Sequence, residues 1–403
     1  MAAPRKVSAK AAARAATSPP SRRTAGEGGQ ATVEPWPSNF GIQPAFALGV
    51  EEELLLVDDD FALQDRDPEI LGALDAGPGR VEGELFRAMV EAQSPISATT
   101  REAIAALRQA RREVLRSSRL MGVGLHPASD PGDSAVQQTP RYAKIEHSLQ
   151  GILRSPICGQ HIHVGMPDEE TAVRVYNGIR THVPLLNALA ANSPFWGARD
   201  SGLASTRTVV FRSYPRAAMA PEFSDYEHFC HVTRQVCVAA ELEDYTHIWW
   251  DVRIHPGLGT IEVRAADAQF DLRRTAALAA LVHCLARIEA ERGDGSLPAR
   301  EALAESSFQA TRHGLAAKLL TRTGELKPAR VLAEETLDLA DTVAGELGCR
   351  RELNHVGLIL ADGCGADVQR RVHTEHGMEA LLRFLVDETA RTEEEDPRAA
   401  QPA

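Results

Sequence analysis

Three consecutive glutamates, Glu51, Glu52 and Glu53, interrupt an apolar run from Phe46 to Val57. Side chains alternate on a strand, so Glu51 and Glu53 share one face and Glu52 the other. Two carboxylates on one face repel unless water solvates them or a cation lies between them. Glu84 and Glu91 form a second acidic pair, seven residues apart among apolar neighbours. That spacing returns to one face of a helix but falls on opposite faces of a regular strand, where co-operation requires a bulge. In Cys158-Gly-Gln-His161-Ile-His163-Val-Gly165 the two histidines share a strand face flanked by glycines that permit close approach to the backbone. An H-x-H pair also opens the metal motif of zinc amidohydrolases, so it names no reaction by itself.

Arginines accompany the acids. Asp251, Arg253 and His255 alternate on one short run, Glu262 and Arg264 on the next, and Pro256-Gly257-Leu258-Gly259 separates the two. The expectation is an antiparallel hairpin. Its polar face is either a solvated set of ion pairs or a site with acids for metal and arginines for oxyanions. Asn192-Ser-Pro-Phe-Trp196 precedes Ser205-Thr-Arg207, Arg212 and Arg216, three arginines within ten residues in a loop-like Gly/Ser/Pro context. Such arginines capture carboxylate or phosphate, or simply face water.

The elements that must position these groups follow from periodicity. Residues 46–57, 156–166 and 248–266 read as strands. Residues 169–191, 272–291 and 331–347 read as helices, the last two separated by a break at Gly293-Asp-Gly295. Thr99 and Glu102 form a capping-box start for a helix with Ile104, Leu107, Val114 and Leu115 on one stripe. Strands dominate the first two thirds and helices the last, an α+β pattern rather than βαβ alternation. One domain is expected over 43–388. It is preceded by a basic tail over 1–42, read as a disordered arm or a transit peptide, and followed by an acidic tail over 389–403.

The chain has 403 residues with 44 basic and 56 acidic side chains, a net charge of −12. That balance argues against sequence-independent nucleic-acid binding but leaves room for ATP, because carboxylates hold Mg²⁺ and the metal holds phosphates. No window of the sequence is apolar enough for a membrane span. Six cysteines without a C-x-x-C pair suggest reduced thiols and a cytoplasmic setting.

Taken together, the segments GVEEELLLVD (49–58), ELFRAMVEAQSP (84–95), CGQHIHVGMPD (158–168), ANSPFWGARDSGLASTR (191–207) and WWDVRIHPGLGTIEVRAADAQ (249–269) resemble the carboxylate–amine ligase family. This family is also described as glutamate–cysteine ligase type 2, within the glutamine synthetase-like superfamily. The resemblance implies an antiparallel sheet whose concave face binds ATP and Mg²⁺, with helices behind it. It assigns Glu51, Glu53, Glu84, Glu91, His161 and Glu262 to metal. Arg264 and Arg216 are assigned to catalysis, and Arg207, Arg253 and Arg264 to nucleotide or substrate. The implied reaction joins a carboxylate such as that of glutamate to an amine such as that of cysteine through an acyl phosphate, and a homodimer is the family's suggestion. The chain departs from the pattern at Arg216-Ala217-Ala218-Met219, where relatives carry a glycine-containing turn, and at Ile254, where proline is common. Two other readings remain open: a zinc hydrolase using His161 and His163, and a non-catalytic nucleotide-binding paralogue.

Overall fold

A computed structural model describes residues 35–292, 295 and 297–392. Seven strands form the main sheet: β1 (Leu48–Val57), β2 (Arg80–Gly83), β3 (Met89–Gln93), β4 (Arg119–Met121), β5 (Gly159–Gly165), β6 (Val252–His255) and β7 (Thr260–Asp267). Their order is β2-β3-β1-β5-β7-β6, with β4 beside the second half of β1, and every pairing is antiparallel. The α+β architecture expected from the sequence is the one observed. Ten helices are used below: α1 (Thr100–Leu115), α2 (Pro140–Leu149), α3 (Glu169–Arg180), α4 (Val183–Ala190), α5 (Thr206–Arg212), α6 (Tyr226–Ala239), α7 (Leu272–Glu291), α8 (Arg300–His313), α9 (Ala329–Ala344) and α10 (Gly365–Ala390).

Alternation along β1 decides which groups face the site. Leu48, Val50, Glu52, Leu54 and Leu56 point into the layer of helices behind the sheet. Glu51 and Glu53 point the other way, followed on that face by Leu55 and Val57, which enter a second apolar cluster with Phe86, Met89, Met121 and Phe195. One strand therefore carries two carboxylates and, a single turn of pleat further on, the apolar wall beside them.

Helix α7 lies at the centre of the rear layer and is buried nearly all round, as an Ala/Leu-rich helix without a polar face should be. It contacts β5, α1, α3 and α9. The expected helix over 169–191 is two helices, because Thr181 and His182 turn the chain before α4, which carries Pro184 in its first turn. The capping box of α1 is closed one residue early. Thr99 caps Glu102 N–H, but the Glu102 carboxylate accepts from Ala98 N–H instead of from Thr99.

The expected tail over 1–42 is described only from residue 35, and that part packs on the body. Trp36 Nε1 donates to Thr233 on α6 (2.9 Å), and Asn39 N–H donates to Pro256 O (2.9 Å). At the other end α10 runs through Ala390, past the expected boundary at 388, and residues 393–403 lie outside the described residues. Gly293 and Asp294 of the expected break also lie outside them. All six cysteines are buried free thiols. Among the described residues no helix is long and apolar enough to cross a membrane.

Candidate active site

The open face of the sheet carries a band of charge built by register. Glu53 stands opposite Glu91, Glu51 opposite His161, and Glu262 opposite both His163 and Arg253. Residue pairs facing each other across neighbouring strands lie within side-chain reach. Groups more than two hundred residues apart in sequence thus meet on one surface.

Glu84 joins this band by a route the spacing alone does not show. Neither a helix nor one continuous strand links it to Glu91. The segment leaves β2 at Gly83, turns through 84–88, and returns as β3. Glu84 lies at the start of that turn, where its N–H donates to Met89 O at 3.4 Å. The turn does what a bulge was expected to do. The bulge itself is elsewhere: between Gln160 and Ile162 the register with β7 shifts, so Arg264 and Ala265 together oppose His161. This changes the phase of β7. Ile261 and Val263 face the rear core and Glu262 and Arg264 the site, but beyond the bulge Ala266 is in the core and Asp267 is on the site side.

Electrostatics divides the carboxylates into two sets. Glu262 receives Arg253 Nε at 2.7 Å and Nη2 at 2.6 Å, and Arg264 Nη1 on its other oxygen. Burial by itself raises its pKa, but Arg253 and Arg264 outweigh burial and hold it well below the usual carboxylate range. Glu51 is likewise held low against burial by His163 and His161. The second set is pushed up. Burial, then Glu84, raises Glu53 to about 7, and burial raises Glu84. Burial, then Glu51, Glu84 and Glu53, raises Glu91 well above its ordinary value.

The two histidines do different work. His161 Nδ1 lies 3.2 Å from Glu51 Oε2. Burial, then Arg264, lowers its pKa to about 4, so the imidazole is neutral near pH 7. Because a carboxylate only accepts, that contact places the proton on Nδ1 and leaves the Nε2 lone pair free to ligate. His163 is the opposite case. Glu262 and Glu51 overcome burial and raise its pKa, with Nε2 3.6 Å from Glu51 Oε1 and 3.9 Å from Glu262 Oε1. The two histidines are thus not an equivalent pair: His163 lies between the Glu51 and Glu262 carboxylates, while His161 groups with Glu51 and Glu91.

Glu51, Glu91 and His161 each place one ligand atom within 4.8 Å of the others. Two half-buried carboxylates and a neutral imidazole at that spacing fit a divalent cation, which would also relieve the repulsion that raises Glu91. Glu53 and Glu84 border this group and Glu262 flanks it.

The arginines sort by what they touch. Arg253 donates to Glu262 and to Thr246 O (Nη1, 2.8 Å), which fixes its guanidinium beside Glu262. Arg264 bonds Glu262, while its buried Nε has no partner among the described residues. Arg207 is 3% exposed with an unpartnered Nε, and its charge acts on Glu53. Arg216 has no hydrogen bond or ion pair to the carboxylate band among the described residues. Its Nε donates to His247 O at 3.1 Å and its guanidinium lies over the Trp249 ring. Arg216 itself adopts φ +70°, a left-handed conformation uncommon for a residue other than glycine. The expected loop around Arg207 and Arg212 is helix α5, capped by Ser205, and Arg212 pairs with Asp251 at 2.6 Å.

Sequence reasoning passed over three residues. Asp267 accepts from Asn192 N–H (2.9 Å), Ser193 Oγ (2.7 Å) and Ser205 Oγ (2.9 Å), and so ties the 191–207 segment and Arg207 to the sheet. It lies inside a motif already singled out, but on the face that a regular strand hides. Glu52, the middle acid, pairs behind the sheet with Arg111. Tyr142, on α2, donates to Glu84 Oε2 at 2.9 Å, and no motif marks it.

A model of glutamate–cysteine ligase family 2 matches residues 47–391. The chain belongs to this family. It is a ligase. A glutamate–cysteine ligase of Haloferax volcanii is 33% identical over 357 residues, spanning 84% of this chain and 95% of that one. A protein of Rubrobacter xylanophilus with the provisional name glutamate–cysteine ligase 2-3 is 40% identical, spanning 88% of this chain and 99% of the other. Among solved structures, a Francisella tularensis glutamate–cysteine ligase in complex with AMP shares the fold. Its TM-score is 0.65 at 12% identity, with 87% of this chain and 89% of that chain covered. A bifunctional glutathione synthetase from Pasteurella multocida has a TM-score of 0.63, covering 86% of this chain and 52% of the other. With the family shown, the zinc-hydrolase reading is set aside.

Proposed function

We propose that this ligase consumes ATP to join the carboxylate of glutamate, or of a similar acid, to an amine such as that of cysteine. The observation that carries the reading is the Glu51–Glu91–His161 group with Glu53, Glu84 and Glu262 around it. A carboxylate is a poor electrophile, and conversion to an acyl phosphate makes it one that an amine can attack. Phosphoryl transfer of this kind depends on positioning and charge neutralisation more than on covalent help from the protein. Mg²⁺, held by Glu51, Glu91 and His161 with Glu53, Glu84 and Glu262 beside them, would supply the positive charge that brings phosphate oxygens to an acidic surface.

The chain's own residues supply the rest. The unpartnered Nε groups of Arg264 and Arg207 are donors for developing negative charge on transferred or substrate oxygens. Glu262, fixed by two arginines, stays ionised and keeps Arg264 in place. Arg216 stands further out, where its pairing with His247 O and Trp249 suits recognition of the non-reacting end of a substrate. No serine or cysteine nucleophile is needed, and the cysteines are buried away as thiols.

The test is ADP release by purified protein with Mg²⁺-ATP, glutamate and a panel of amines that includes cysteine. Amine-dependent ADP, lost in Glu51→Gln and Glu262→Gln, is the expected result. Turnover that survives those two substitutions, or that no amine stimulates, overturns the reading.

A further inference from the structure

Helix α2 bridges the two walls of the site. Tyr142 Oη donates to Glu84 Oε2 (2.9 Å), and the same oxygen accepts Leu85 N–H. Both hydrogen bonds recorded for this carboxylate fall on Oε2, leaving Oε1 as its other ligand atom. On the opposite wall, Lys144 pairs with Glu243. Glu243 precedes the turn Tyr245–His247, whose carbonyls aim the arginines: Thr246 O accepts Arg253 Nη1 and His247 O accepts Arg216 Nε. The acid wall and the arginine-orienting wall are therefore joined through two residues of one helix, Tyr142 and Lys144. The helix is held lightly. Of its residues only Ile145 and Leu149 are buried, and both members of the Lys144–Glu243 pair are largely exposed.

We infer that Tyr142 is a positioning residue for Glu84, and that α2 is a strap, latched by Lys144 and Glu243, which presents it. Converging two donors on Oε2 fixes the rotation of the carboxylate, so that Oε1 is the oxygen turned to a cation. The inference rests on the reading of Glu84 as one of the acids around Mg²⁺. It goes beyond that reading by assigning the group that orients the acid and the element that carries it.

The experiment uses the full chain and Mn²⁺ alone, with free Mn²⁺ counted by paramagnetic resonance and no nucleotide present. Tyr142→Phe should raise the Mn²⁺ dissociation constant ~10-fold, the size expected for a lost hydrogen bond to a charged group, while leaving thermal unfolding in place. Glu84→Gln should weaken binding at least as much, and adding Tyr142→Phe to Glu84→Gln should change nothing further. That non-additivity is the signature of action through Glu84, which a merely structural tyrosine does not give. Lys144→Glu should raise the dissociation constant in the same direction, and the swapped pair Lys144→Glu with Glu243→Lys should restore it. Unchanged affinity in Tyr142→Phe beside weakened affinity in Glu84→Gln overturns the role of Tyr142 and leaves the metal reading standing. Unchanged affinity in Glu84→Gln overturns both. Unchanged affinity in Lys144→Glu overturns the strap.

Discussion

Arg111 grips Glu52 with two parallel hydrogen bonds, Nε to Oε2 at 2.9 Å and Nη2 to Oε1 at 2.7 Å, behind the sheet and wholly shielded from water. Thr275 Oγ1 adds a third donor to the carboxylate, and Arg111 also reaches Gln269 O at 2.9 Å. The pair fastens α1 and α7 to the strand that carries Glu51 and Glu53. Neutralising one partner strands the other charge without solvent. Arg111→Met is expected to lower unfolding free energy by about 3–5 kcal/mol, and the double variant Glu52→Met/Arg111→Met to recover much of that loss. Urea denaturation reads both, and a single variant within about 1 kcal/mol of wild type contradicts the account.

A pH dependence follows from Glu53, whose pKa rises from 4.5 to about 7 through burial first and Glu84 second. Between those values the folded chain holds a proton that the unfolded chain has released. The group is neutral to metal-free stability below the unfolded value and increasingly unfavourable as pH climbs to about 7, beyond which the penalty is constant. Glu53→Gln removes the penalty. In EDTA its advantage over wild type should be near zero at pH 4.5–5 and grow to an order of 2–3 kcal/mol by pH 8. Mg²⁺ competes with the same proton, so its stabilisation of wild type should be larger at pH 8 than at pH 6. A Mg²⁺ thermal shift that is flat across this range contradicts a site built on raised carboxylates.

Where the side-chain period is regular, the sequence carried the site. Alternation alone placed Glu51 with Glu53, His161 with His163, and Glu262 with Arg264, and the structure has all three pairs on the expected face. Reading failed where a single residue breaks the period or where the partner is far along the chain. Asp267 changes face because Arg264 and Ala265 share one opposite residue, and a bulge leaves no mark in a string of Ala and Asp. Which carboxylate Arg253 meets is set by the hairpin register, which puts Glu262 opposite it on the other arm. The Arg111–Glu52 pair leaves no local mark in the sequence, since only the tertiary fold brings α1 behind Glu52. Composition and pattern report local geometry well and long-range pairing poorly.

Gly159 illustrates a close approach with a functional consequence. A Cβ added there would collide with Nη2 of Arg207 and sit 3.3 Å from Ala266 O. The first obstacle is the tip of a long side chain, which can move, so Gly159→Ala should fold. The arginine would be displaced from the end of the band where it acts on Glu53. Loss of a positioned donor for developing charge costs ~10²-fold in turnover. The expected result is a fall of that order in kcat/KM with a melting temperature near wild type. Full activity in Gly159→Ala means that Arg207 is not used where it stands.

Asp267 tests whether Arg207 is held from beneath. Its carboxylate takes three donors from the 191–207 segment, and Arg207 Nη1 lies 4.0 Å away. Asparagine can accept at one atom only, so Asp267→Asn leaves at least one of Asn192 N–H, Ser193 Oγ and Ser205 Oγ facing an amide that donates. An unpaired buried donor costs about 1–3 kcal/mol, which urea unfolding should register. Ser193 Oγ accepts Arg207 N–H at 3.1 Å, and Ser205 Oγ accepts the Thr208 N–H that starts α5, so the disturbance passes directly to the helix that carries the arginine. Activity should therefore fall more than stability predicts. The fall should be of the same kind as in Gly159→Ala, and the two substitutions together should lose less than the product of their separate effects. Independent, multiplying losses would show that Asp267 serves the fold alone and that Arg207 is positioned by something else.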